Sequence, residues 1–285
     1  MKQTSLSPVA ALILAVFGCA VLGWTSPAQA GPSDFLIIQP GQPGSPAEAQ
    51  PVMDRLAAYL SKKTGETVTG KYFNLLEEGL AAVPAEKPGW GIVGLGFYAQ
   101  YGKKFGLTPL ASTRPSGRAK DVWRLVVPTN GPDDWRTLTG EVRGMGLFEK
   151  KAAPCLLFRG VTPVPASQPF TLEGTGNPLK SLRDAAKGKI AGSVLDQVQY
   201  DALASLPQAG ELKTIHTSAE LPTSPVVAFG PAGPAQSKIG QALTAMKADP
   251  EAAELLTLLL TDGFGPPDAD LAKLLLENEN AACPR

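Results

Sequence analysis

Histidine is nearly missing from this chain: His216 is the only one in 285 residues. That scarcity excludes a multi-histidine zinc centre, because the metal would have to rest on carboxylates and scattered cysteines. It also leaves imidazole chemistry with one candidate. His216 ends a Leu-Lys-Thr-Ile-His run that reads as a strand, where a structural role is the default. Neither a G-x-S-x-G elbow nor an S-x-x-K motif is present. An excess of positive charge is absent too, with 26 Lys and Arg against 26 Asp and Glu. The chain therefore has little means of neutralising a nucleic-acid backbone, and no Lys/Arg block to hold it to an anionic membrane. After the leader no apolar run approaches the ~20 residues of a membrane span. The greasiest, Leu255 to Leu260, already contains Thr257.

What is present begins with a leader. Lys2 gives a positive start, Val9 to Trp24 an apolar stretch, and Ala28-Gln29-Ala30 the small-x-small step that signal peptidase cuts. Gly18-Cys19 would fit a lipoprotein signal, but Phe17 and the apolar Ala20-Val21-Leu22 do not. Residues 1–30 are thus expected to be a cleaved export signal, leaving 255 residues (285 less 30) that start at Gly31. Losing Lys2 from 26 bases against 26 acids gives a mature charge of −1. The expected location is the periplasm, with no membrane insertion after cleavage. Cys155 and Cys283 survive processing, and an oxidising compartment would permit them to pair. Sequence does not fix their proximity, so that disulfide is left open.

The mature length suits two lobes of ordinary size, and 30 glycines with 27 prolines mark a loop-rich globular chain. Asp34–Gln39 is a short branched apolar run, as in a buried parallel strand. Ser45-Pro46-Ala47-Glu48 fits a capping box, and the helix it opens should stop at Thr64-Gly65, with Pro51 either starting or kinking it. Strands are predicted at 68–73, 90–95 and 107–112, with helices at 74–83 and 98–105 between them. This alternation is the pattern of a parallel sheet with covered faces. A polar crossover at 113–118 leads to strands at 122–127, 142–148, 189–195, 212–216 and 226–229. Helices are expected at 179–186 and 196–206, and over 235–247, 251–260 and 268–277 in the tail. Segment 152–159 is ambiguous, and 163–170 reads as loop or edge strand.

Two motifs match only by letter. Gly89 to Gly94 fits G-x-G-x-x-G, but its glycines run through a strand instead of a turn that opens a helix. Gly65 to Lys71 begins like a phosphate-binding loop, yet Tyr72 stands where the magnesium-binding Ser/Thr should be. No cofactor is implied.

Several stretches together resemble the phosphate/phosphite/phosphonate-binding family of ABC-transporter substrate-binding proteins. They are Leu56–Thr69, Tyr72–Leu80, Trp90–Tyr98 with Gly106–Leu110, Leu179–Leu203, and Ser218–Val227. The resemblance implies an α/β, two-lobe periplasmic-binding-protein type 2 architecture. Each lobe would hold a mixed, mostly parallel sheet covered by helices, with a hinge of two crossover segments. Lobe I is expected over 31–116 and 220–285, and lobe II over 117–219. The implied function is hinge closure on a small ligand, an oxyanion such as phosphate or phosphonate or another small solute. The partner would be an inner-membrane ABC permease, and the protein a non-catalytic monomer. The alternatives are a ligand sensor for a membrane kinase or chemoreceptor, and a secreted hydrolase with carboxylate or serine chemistry. One departure stands out. The family's Ser/Thr-rich oxyanion turn is replaced by Phe148-Glu149-Lys150-Lys151-Ala152-Ala153-Pro154-Cys155, which has neither residue.

In open α/β sheets ligands sit beyond the carboxyl ends of the strands. The candidate contacts are therefore Gln39, Gln42, Tyr72, Asn74, Phe97 and Tyr98, with Ser112 and Arg114 at the crossover. Glu149, Lys150, Asp196 and Gln197 would come from the second lobe. Tyr72 and Tyr98 read equally well as core aromatics, Asn74 and Asp196 as helix caps, and Arg114 as a solvated hinge residue.

Overall fold

The computed structural model describes residues 33–161, 168–278 and 282–284. The expected export signal and residues 163–167 of the loop or edge strand lie outside the described residues.

The first lobe starts with β1 (Phe35–Ile38), α1 (Pro46–Thr64), β2 (Gly70–Phe73) and α2 (Leu76–Glu86). It continues through β3 (Trp90–Val93), α3 (Leu95–Tyr101) and β4 (Leu107–Thr113). Both β1 and β3 are buried at every residue, which is why their sequences FLII and WGIV show no polar alternation. The capping box forms at α1: the Ser45 hydroxyl accepts from the Glu48 N–H, and the Glu48 carboxylate accepts from the Ser45 N–H at 2.7 Å. Gly65, at φ 76°, ends the helix in the left-handed conformation that glycine tolerates. The helix runs on through Pro51. Gly91 lies in β3, where any side chain would strike the Leu36 carbonyl oxygen, so the glycine serves strand packing.

A short β5 (Lys120–Asp121) leads into the second lobe. Its elements are β6 (Arg124–Pro128), β7 (Gly140–Gly144), α4 (Ala152–Leu157), β8 (Phe170–Gly174), α5 (Pro178–Ala186), β9 (Gly192–Leu195), α6 (Gln197–Leu203) and β10 (Leu212–Thr217). The chain returns through β11 (Leu221–Pro222) to β12 (Pro225–Phe229), α7 (Pro234–Ala245), α8 (Ala253–Leu258) and β13 (Phe264–Gly265).

Among the described residues two large sheets form, of order β13-β4-β12-β3-β1-β2 and β10-β6-β9-β7-β8. Both are mixed. Strands β2, β1 and β3 pair in parallel, as do β8, β7 and β9. The returning strand β12 runs antiparallel between β3 and β4. Where the chain crosses between lobes, β5 and β11 pair as a two-residue antiparallel ribbon, Leu221 opposite Asp121 and Pro222 opposite Lys120.

Three expectations shift. Helix α3 starts at Leu95, three residues before the expected 98. Strand β7 ends at Gly144, and Met145–Leu147 form a 3-10 turn. The expected helix 268–277 is reduced to one 3-10 turn, Leu271–Leu274. There the backbone finds partners outside itself: the Leu276 N–H donates to the Ala99 carbonyl at 2.9 Å, and Leu271, Leu274 and Leu276 are buried.

The cores explain how the lobes are held. One cluster packs α1, α7 and α8 onto the first sheet, and another packs α5 and α6 onto the second. The third is continuous across the lobes, from Val93, Phe97 and Tyr101 to Leu147, Leu156 and Phe158. A disulfide joins Cys155 in α4 to Cys283 in the tail.

Candidate ligand-binding cleft

A cleft of about 690 Å³ opens between the two sheets. Its first-lobe wall is the turn after β1 (Gln39 to Pro43), the start of α3 (Gly94 to Gly96) and Leu259 to Thr261. Its second-lobe wall is the turn after β7 with Met145 and Glu149, the start of α5, and Asp196 to Gln199. The crossings form its floor. There the Thr223 hydroxyl donates to the Thr113 carbonyl at 2.6 Å, and the Thr113 hydroxyl donates to the Ser224 carbonyl at 3.1 Å.

Three carboxylates line this space. Asp196 caps α6, accepting from the Gln199 N–H at 2.8 Å. Burial, reinforced by the neighbouring Asp121 charge, pushes its carboxyl up to about 6. Asp121 accepts from the Gln197 and Val122 N–H groups at 2.8 and 2.7 Å and from the Trp123 indole at 3.2 Å. Burial still raises it above the ordinary aspartate range, against those bonds and the Arg124 charge. Glu149 is 3% exposed and packs against Gly96, so that a side chain at Gly96 would collide with it. Its Oε1 is buried without a hydrogen-bond partner among the described residues, and burial pushes the carboxyl up to about 7. A buried carboxyl oxygen without a partner is expensive, so it marks a place where a partner is wanted.

Cations are scarce by comparison. Arg118 and Lys120 are the bases on the lining, and both are engaged: Arg118 pairs with Asp201 at 2.7 Å, and Lys120 bridges Asp268 and Asp270 at 2.8 and 2.9 Å. The start of α4, where the family resemblance puts an oxyanion turn, is also taken. The Gln100 side-chain oxygen accepts from the Lys151 and Ala152 N–H groups at 2.9 and 3.2 Å.

Of the residues expected from sequence, Gln39, Gln42, Glu149, Asp196 and Gln197 are brought together on the cleft. Tyr72 lines a side pocket of the first lobe. The remaining six lie elsewhere, each for a local reason. Asn74 donates to the Gln42 carbonyl at 3.3 Å and to the Gly44 carbonyl, and so shapes the turn from behind. Phe97 and Tyr98 are buried in the core, because α3 begins early enough to turn them inward. The Ser112 hydroxyl accepts from the Asp268 N–H at 3.2 Å. Arg114 lies over Gly265 of β13, and its N–H donates to the Gly263 carbonyl at 2.9 Å. Lys150 turns away to the Leu172 carbonyl at 2.9 Å and to Glu173. Sequence reasoning missed Asp121, Thr113, Thr223 and Ser224, which belong to crossings too short to carry a periodic signal. His216 is far from this chemistry in kind. It is half-buried beside Trp135 and Phe158, its Nε2 2.8 Å from the Leu157 carbonyl.

Two sheets joined by a paired crossing, with strand tips facing a shared gap, define a two-lobe periplasmic binding protein of the Venus flytrap type. The family described as "ABC transporter, phosphonate, periplasmic substrate-binding protein" matches residues 43–271, and the chain belongs to it. Among solved structures, a Xanthomonas citri protein bound to ATP is 18% identical, with a TM-score of 0.64 over 85% of this chain and 94% of that one. PhnD1 from Prochlorococcus marinus in complex with methylphosphonate is 12% identical, with a TM-score of 0.60 over 85% and 96%. A binding-protein component of a Pseudomonas aeruginosa ABC phosphonate transporter is 16% identical, with a TM-score of 0.56 over 85% and 84%. At such identities the likeness speaks for the fold. No curated protein matches the chain. Among the described residues no helix is long and apolar enough to cross a membrane.

Proposed function

We propose that this protein is exported by cleavage after Ala30, binds a small organic cation in the cleft, and delivers it to an inner-membrane ABC permease. The lobes divide near residues 116/117 and 219/220, so the β5–β11 ribbon is the hinge. Ligand contacts on both walls favour the closed form by their differential free energy, and the closed form is what a permease reads. Gln39 and Gln42 face the ligand from the first lobe, and Glu149, Asp196 and Gln197 from the second, with Asp121 behind them.

One observation carries the choice of a cation over a bare oxyanion: three carboxylates line the cleft, while both lining bases are committed elsewhere. An incoming ammonium would give the unpartnered Glu149 oxygen a donor and relieve the repulsion between Asp121 and Asp196. Among the described residues no three His, Cys, Asp or Glu are grouped to hold a metal ion, which favours an organic cation.

The test is a thermal-shift screen of the mature protein against primary amines, phosphate, phosphite and phosphonates. A ligand at a hundred times its Kd adds about 2.7 kcal/mol and moves the midpoint visibly. Stabilisation by amines is expected. Stabilisation by phosphate or alkylphosphonates alone would reverse the charge assignment.

A further inference from the structure

The first lobe holds a side pocket of about 220 Å³ walled by Ile37, Val52, Met53, Ile92, Leu258 and Phe264. We infer that this pocket is a subsite of the cleft for an aliphatic or aromatic arm of the bound solute, which makes the solute an amphiphilic organic cation. The inference rests on the cationic reading above.

Three observations carry it. The pocket and the cleft adjoin, since Gln39, Gln42, Thr113, Leu259, Leu260 and Thr261 line both. A solute held by the cleft carboxylates would reach the pocket past these shared residues. The pocket is also chemically unlike the cleft. Its only charged lining residue, Glu48, is engaged by the cap of α1, and the other walls are mainly hydrocarbon. Dry cavities of about 150 Å³ with such walls accept benzene, so this one has room for a ring or a short chain.

The third observation concerns where the described chain leaves apolar side chains in water. Its large exposed hydrophobics are Leu75, Leu179, Val198, Leu258 and Leu260, and all but Leu75 line the cleft or the side pocket. Leu179 and Val198 come from the second lobe, and Leu258 and Leu260 from the first. Leu260 is 70% exposed and held at φ 54°, a backbone region that costs a leucine steric strain. Exposed hydrocarbon gathered on both lips of one opening is the mark of a binding surface. Closure over a solute with an apolar arm would cover it.

The experiment is isothermal titration of the purified mature protein with n-alkylammonium chlorides from methyl to octyl, and with n-alkylphosphonates of equal length. Amine affinity is expected to rise about fourfold per methylene until the pocket is full. Ala49→Phe, which projects a ring from the pocket wall, is expected to flatten that rise. Should the variant not fold, the length dependence in the unsubstituted protein decides the matter alone. Amines that bind equally at every length overturn the subsite and leave the cationic reading standing. Phosphonates that bind where amines do not overturn the cationic reading, and the amphiphilic cation with it. Failure of both series overturns both proposals.

Discussion

Gln100 of the first lobe caps a helix of the second: its side-chain oxygen lies 2.9 Å from the Lys151 amide nitrogen and also accepts from Ala152. The carboxamide is buried, and its Nε2 donates to the Tyr101 hydroxyl at 2.7 Å. Gln100→Ala would strand two amide donors at the lobe boundary. The expected cost is about 1–3 kcal/mol, read as a lower urea midpoint with an unchanged slope. An unmoved midpoint would show that the cap is dispensable.

Glu149 predicts an unusual pH profile. Burial raises its carboxyl from the ordinary 4.5 to about 7 in the folded protein. The unfolded chain holds that proton less tightly, so the contribution is present in full below pH 4.5 and lost as pH rises through 7. Between pH 5 and 8 the ligand-free protein should lose up to about 3 kcal/mol relative to Glu149→Gln. The check is the difference in Tm between the two proteins across that range; a constant difference contradicts the burial argument. A bound ammonium reverses the trend, because it prefers the ionised carboxylate.

Asp196 combines a cap with a charge, and two substitutions separate them. Asn caps a helix as well as Asp does, so Asp196→Asn should leave α6 intact while removing the charge. Amine affinity is expected to fall roughly tenfold to a hundredfold, the worth of a hydrogen bond to a charged group. Asp196→Ala should lose a further ~1 kcal/mol of stability with the cap. Equal ligand affinity in Asp196→Asn and the parent would take this residue out of the site.

The Cys155–Cys283 bond closes a loop of 128 residues. In the chain-entropy model such a closure contributes up to about 4–5 kcal/mol. Reduction, or Cys155→Ser with Cys283→Ser, should lower the urea midpoint by a correspondingly large step. A reduced protein that unfolds at the same midpoint would show that the tail is held by its leucines alone.

Much of this fold was readable because local rules agreed. The FLII and WGIV runs, the Ser45–Glu48 box and Gly65 each point to one structure, and the Gly89–Gly94 motif was seen to lie in a strand. Asp196 and Glu149 were reachable from the rule that ligands meet strand ends. What escaped depended on long-range placement. Nothing local says that β12 inserts between β3 and β4, or that Lys120-Asp121 pairs with Leu221-Pro222. Phe97 and Tyr98 were misplaced by a three-residue difference in where α3 begins, since that rotates a short helix most of a turn. The tail has helical spacing, but its backbone bonds to Ala99 and its leucines dock on α3, so tertiary contacts override its own preference.

The disulfide also has a directional consequence. Leu271 and Leu274 pack into the shared core, the Leu276 N–H bonds to Ala99 of α3, and Cys283 is tied to α4, so the two halves are joined a third time. This stitch sits beside the core that both halves share, whereas Leu179, Val198 and Leu260 stand on facing walls of the cleft. Cutting the stitch at Cys283 should therefore loosen that common core first and leave the cleft walls themselves in place.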